Sequence, residues 1–214
     1  MFLLNKKNFL YRPEFLFILF LSSVILSYSN VYIPYLSISI GFESFTLLLT
    51  GFLFGPIVGF FNGLAVDLVT FPWGGSYPFS FLFLLQSGLI GFLGGINFKK
   101  WNENSLLTLL IFISIIFSCF YCLIFPELMM WLMLFPVINL LIVFVFGKNV
   151  DSLRWLIILN LSVYLCSFGL GTIGSIFLNP IGSPLLFLRV RAFKEIAKLV
   201  LFASMFGALR KWIS

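Results

Sequence analysis

Asp67 stands alone as a carboxylate in the apolar run GLAVDLV, residues 63–69. An acid kept inside such a segment is costly, and by default it marks a functional site. Just beyond it, Trp73 and Tyr77 bracket Gly74, Gly75 and Ser76 in an uncharged loop, Pro72 to Pro78. Two roles suit this aromatic pair: stacking over a flat ligand, or membership of an interfacial aromatic belt. Four cations gather near the C-terminus as Arg189, Arg191, Lys194 and Lys198, with Glu195 among them. The spacing puts Arg191, Lys194 and Lys198 on one helical face. That face suits an anion, helped by the positive end of a helix that the sequence starts at Val190. Headgroup snorkelling is its other role. For Asp67, a salt bridge to Arg191 or Lys194 is the alternative to ligand contact. Gln86 and Asn160 are further polar candidates on interior faces.

The elements that must hold these groups are apolar helices. The chain is 61% hydrophobic and only 9% charged over 214 residues, which is integral-membrane composition. The 30 phenylalanines face no consistent direction and read as lipid-facing filler. The net charge of +6 is spread singly and in pairs at segment ends, which reports orientation rather than affinity for nucleic acid. There is no histidine, hence no imidazole base or ligand, and no G-x-x-x-x-G-K-[ST] loop for a nucleotide. Cys119 and Cys122 have a C-x-x-C spacing but sit among Phe, Ile and Tyr, where small buried hydrophobes are expected. No catalytic residue, metal or cofactor is predicted, and the chain is not read as an enzyme.

Eight spans are predicted: 14–32, 43–54, 56–71, 79–98, 106–125, 128–146, 153–178 and 190–212. The first is a retained span rather than a cleaved signal, because no small-x-small site follows it. Gly55-Pro56 breaks the run from Glu43 to Phe71 into two short halves, ~24 Å for the second at 1.5 Å per residue. The segment 34–42 alternates apolar and polar residues, as a small strand would. With alternating spans, Lys6, Lys7, Arg12, Lys99, Lys100, Lys148, Arg154, Arg210 and Lys211 share one side, while the opposite loops 33–42, 72–78, 126–127 and 179–188 hold no Lys or Arg. This predicts a multi-pass cell-membrane protein with both termini cytoplasmic. Small residues recur at Gly55, Gly59 and Gly63 and at Ser87, Gly91 and Gly95, and Ser23 and Ser27 repeat the spacing. Such stripes let helix backbones touch.

The segments GFLFGPIVGFFNGLAVDLV (51–69), FPWGGSYPFSF (71–81), LLQSGLIGFLGGI (84–96) and GTIGSIFLNPIGSPLLFLRVRAFKEI (171–196) cover roughly half the chain. In their order and spacing they resemble the S components, the substrate-binding membrane subunits, of energy-coupling factor vitamin transporters, and among these the folate-specific members. The resemblance implies an all-α, polytopic membrane helix bundle forming a single domain. A six-helix core (14–98 and 153–212) would carry an inserted helical hairpin at 106–147, and a proline expected after Lys194 is absent. It further implies capture of a folate-like vitamin from outside, then toppling onto a transmembrane coupling protein driven by two cytoplasmic ATPase subunits. Asp67 would then read the pterin amine and ring N–H, Trp73 and Tyr77 would stack or close over it, and Arg189, Arg191 and Lys194 would take the glutamate carboxylates. The outer loops 34–42 and 179–188 would serve as gates. Ser23, Ser27, Gly55, Gly59 and Gly63 are the expected docking surface, with ordinary internal packing as the equal alternative. An S component for another water-soluble vitamin or nucleobase, or a non-transport membrane scaffold similar to rod-shape-determining subunits, are the competing readings.

Overall fold

The computed structural model describes residues 13–28, 31–33, 38–40, 42–74, 80–96, 102–124, 126–146, 150–178 and 184–213. Apart from one small ribbon, the described chain is helical. It divides into two compact units, Met1–Ile96 and Asn97–Ser214.

In the first unit α1 (Pro13–Tyr28) leads to a ribbon of β1 (Val31–Ile33) and β2 (Ile38–Ile40). The strands pair antiparallel with Tyr32 opposite Ser39, so Ile38–Ile40 of the alternating segment forms a strand, while 34–37 and 41 lie outside the described residues. Then follow α2 (Glu43–Phe54), α3 (Pro56–Gly74) and α4 (Phe81–Gly94). Gly55 adopts φ 95° and its N–H caps α2 on the Gly51 carbonyl, a backbone state that side chains rarely tolerate. Pro56 then opens α3, where its missing N–H costs nothing. The chain reverses there: Gly59 packs on Gly51, and Asn62 Nδ2 donates to Thr50 Oγ1 at 3.5 Å. α2 and α3 therefore form an antiparallel hairpin with its tip at Gly55.

α4 closes against both arms through backbone contact. A methyl group on Gly59 or Gly91 would overlap the other residue's carbonyl; on Gly63 it would overlap that of Ser87, and on Gly94 that of Leu48. Small residues thus let the helix backbones touch.

The second unit contains α5 (Glu103–Ile124), a 3-10 turn at Pro126–Leu128, α6 (Met129–Phe146) and α7 (Val150–Leu161). A ten-residue π-helical stretch, Ser162–Gly171, continues α7 into α8 (Thr172–Leu178), and α9 (Pro184–Ile213) ends the chain. The tight turn at Pro126 and Glu127 makes α5 and α6 the expected hairpin, which packs on α7. Reciprocal amide bonds lock it: Asn139 Nδ2 donates to Asn160 Oδ1 at 2.8 Å, and Asn160 Nδ2 to Asn139 Oδ1 at 3.0 Å. Asn139 also donates to Ser114 Oγ, while Ser118 Oγ meets the Tyr164 hydroxyl. Trp155 stacks on Phe206 with centroids 4.4 Å apart and joins α7 to α9.

Among the described residues two helices, Glu103–Ile124 and Val150–Phe177, are long and apolar enough to cross a membrane. α1, α2 and α4 are apolar but have 16, 12 and 14 residues, short of the roughly 20 that a 30 Å hydrocarbon core requires. Large apolar side chains nevertheless lie outermost: Leu123 and Phe144 are 84% and 86% exposed. Asn160, Ser114 and Ser175 are fully buried.

Candidate functional site

Each unit gathers its own polar cluster. In the first, Glu43 and Asp67 both lie twelve residues from Gly55, one on each arm of the hairpin. The reversal at Gly55 carries both to the end away from the tip. The α3–α4 contact of Gly63 with Ser87 brings Ser87 within one turn of Asp67, and the Ser87 side chain hydrogen-bonds the Asp67 carboxylate. Glu43 acts on Asp67 as a like charge. Glu43 Oε2 and, beside Ser87, Gln86 Oε1 are wholly buried with no hydrogen-bond partner among the described residues. Trp73 belongs to the last turn of α3, with its side chain outside the described set, and Tyr77 lies outside the described residues.

The second cluster belongs to α9 and the π-helical stretch. Changing from i→i+5 to i→i+4 bonding leaves more carbonyls than amides at the end of a π segment. Arg191 occupies that position: its guanidinium donates to Ser167 O at 3.2 Å, to Gly171 O at 2.8 Å and to Ser175 Oγ at 2.6 Å. Lys194 Nζ pairs with Glu195 Oε1 at 3.0 Å, and Ser167 Oγ donates to the same oxygen at 2.8 Å. Arg191, Lys194 and Glu195 are all buried. Arg189 differs, being exposed and bonded to the exposed Glu127 at 2.9 Å. Of the predicted cations, then, Arg191 and Lys194 come together and Arg189 turns outward.

Helix α9 starts at Pro184, six residues before the predicted Val190. This corrects the expected dipole assistance. The field of a helix end fades within its first turn, so it does not reach Arg191 or Lys194. For Lys194, the salt-bridge partner is its neighbour Glu195.

Of the residues expected to dock a partner, Gly59 and Gly63 press their faces on α4. Ser23 is buried and bonded to Thr46 Oγ1 at 2.7 Å, Ser27 bonds its own helix at Val24 O, and Gly55 makes the turn with open space around it. Asn160 belongs to the amide lock. Glu43 is the residue that reading the sequence undervalued, because an acid in a helix's first turn already has a reason to be there. Its equal distance with Asp67 from the Gly55 break was the available signal. Among the described residues, no three His, Cys, Asp or Glu side chains gather as for a metal ion. No protein-family model matches this chain, and no curated protein matches it.

Proposed function

We propose that this chain is a multi-span membrane protein that captures a water-soluble, folate-like vitamin, as the substrate-binding subunit of an energy-coupling factor transporter. The observation that carries the reading is Asp67, held by Ser87 opposite Glu43 at one end of a glycine-packed helical bundle. A carboxylate fixed this way accepts paired N–H groups from a pterin edge, and charge assistance makes such bonds strong where water is excluded. Trp73 and Tyr77 supply the stacking surface. Arg191 and Lys194 serve chiefly to hold α9 on the π-helical stretch. Apolar side chains outside and polar ones inside support the membrane assignment, with the cell membrane as its location and both termini cytoplasmic. The exposed apolar residues of α1 and α3, such as Phe17, Ile25, Ile57 and Phe61, offer a face for the transmembrane coupling protein, which two ATPase subunits would drive.

A second reading, a membrane scaffold without transport, is favoured by one observation: Arg191, Lys194 and the glycine faces all have internal partners. Equilibrium binding of tritiated folic acid to the purified full-length chain separates the two. Saturable binding, weakened about tenfold or more by Asp67→Asn, is expected from loss of a charged acceptor. Undiminished binding in Asp67→Asn removes Asp67 from the site, and no binding by the wild type favours the scaffold.

A further inference from the structure

The π-helical stretch Ser162–Gly171 runs for ten residues in the second unit. Such stretches are rare, mostly last a single turn, and often stand at functional sites. The register narrows abruptly at its end, where the Thr172 N–H turns back to Gly169 O, three residues behind it. Donors from two other helices take up carbonyls along the stretch. Tyr121 of α5 donates to Tyr164 O at 3.0 Å, and Arg191 of α9 reaches Ser167 O and Gly171 O. Ser167 turns its hydroxyl from its own helix to Glu195 of α9 at 2.8 Å, onto the oxygen that also pairs with Lys194. Ser167, Arg191, Lys194 and Glu195 are all more than nine-tenths buried.

Thr172 shows what the wide register gives up. Thr50, Thr70, Thr108, Ser114, Ser175 and Ser204 each donate to the carbonyl four residues back, as helical hydroxyls do. Thr172 is only 6% exposed, yet its Oγ1 has no hydrogen-bond partner among the described residues. Four residues behind it is Phe168, inside the π stretch. An α register would return that carbonyl to Thr172 and release Arg191 from the two it holds. The two registers thus exchange one set of buried hydrogen bonds for another. Both keep the backbone bonded within the helix, which a lipid setting demands of a segment that moves.

We infer that Ser162–Gly171 is a two-register switch, held π by Arg191 and Glu195 of α9 and tightening to α when α9 draws back. An α-helix completes a turn in about 3.6 residues and an i→i+5 helix takes more. Tightening therefore winds the chain further and turns α8 about its axis. Ile173 and Phe177, on the exposed side of α8, swing with it. By sequence α8 leads into 179–183, the first part of an outer loop expected as a gate, so a shift of α9 becomes rotation at the base of that loop. The switch needs nothing from the vitamin-capture reading, and absence of folate binding leaves it standing.

The test uses the full-length chain in lipid nanodiscs, with Cys119, Cys122 and Cys166 replaced by alanine. Nitroxide labels at Ile173→Cys on α8 and Leu201→Cys on α9, both at exposed positions, report rotation of α8 as an inter-label distance by pulsed electron resonance. The otherwise unaltered chain should show one principal distance. Arg191→Met should shift most molecules to a second one. Adding Thr172→Val, which removes the hydroxyl that gains a partner in the α register, should restore the first. A folded Arg191→Met chain that keeps the original distance, or a second distance indifferent to Thr172→Val, overturns the switch. Thr172→Val alone decides the matter should Arg191→Met not fold. Removing a buried hydroxyl that lacks a partner should raise the midpoint of thermal unfolding by about 2–4 °C. A midpoint that is unchanged or falls shows that the π register satisfies Thr172, and the switch is then overturned.

Discussion

At the scale of single residues, buried polar groups matter through what they can bond. Arg191 spends its planar fork on two carbonyls and a hydroxyl at the π-to-α junction, a task for which a lysine is the wrong shape. Arg191→Lys should therefore destabilise the protein by about 1.5–3 kcal/mol, the range for hydrogen bonds to charged groups. Arg189→Lys, at an exposed pair, should cost less than about 0.5 kcal/mol. Unfolding in mixed micelles followed by circular dichroism measures both, and equal effects would contradict the assigned roles. Asp67 was legible as a lone acid in an apolar run. The engagement of Lys194 by its own neighbour was not, because adjacent residues on a helix do not normally face each other. That pair depends on Ser167 of another element, which sequence spacing cannot show.

At the scale of elements, the glycine stripes and the break at Gly55-Pro56 were the most readable features. Each states a backbone need that few other residues meet. The stripes left open whether a partner or the chain itself fills them, and Gly91 and Ser87 answer that within the first unit. The reversal at Gly55 is directly testable. In a variant with its native cysteines replaced by serine, Thr50→Cys with Asn62→Cys should form a disulfide on mild oxidation, since their side chains meet across the hairpin. A continuous helix would hold those positions roughly 18 Å apart at 1.5 Å per residue, and no crosslink would then form. The π-helical stretch had no sequence signature. Its wider register is fixed by what packs on it: Arg191 from α9, and Tyr121, whose hydroxyl donates to Tyr164 O at 3.0 Å. The start of α9 was missed because the apolar run around Pro184 hid a proline well suited to open a helix.

At the scale of the whole chain, each unit buries some polar side chains, such as Asn62 and Asn160, and exposes large apolar ones, such as Phe61 and Phe144, a surface that supports the proposed membrane setting. Composition points to the same proposal. Helix length is less telling, since among the described residues several helices fall short of a full crossing and two meet it. Short, glycine-packed helices around a carboxylate suit binding and release better than a permanent strut. The central claim is that this end of the first unit holds a small donor-bearing molecule. Native mass spectrometry of the chain released from cell membranes tests it most directly. The account predicts one heterocyclic ligand per wild-type chain, lost in Asp67→Asn. A wild-type chain that carries no such ligand, or an Asp67→Asn chain that retains it, would contradict the account.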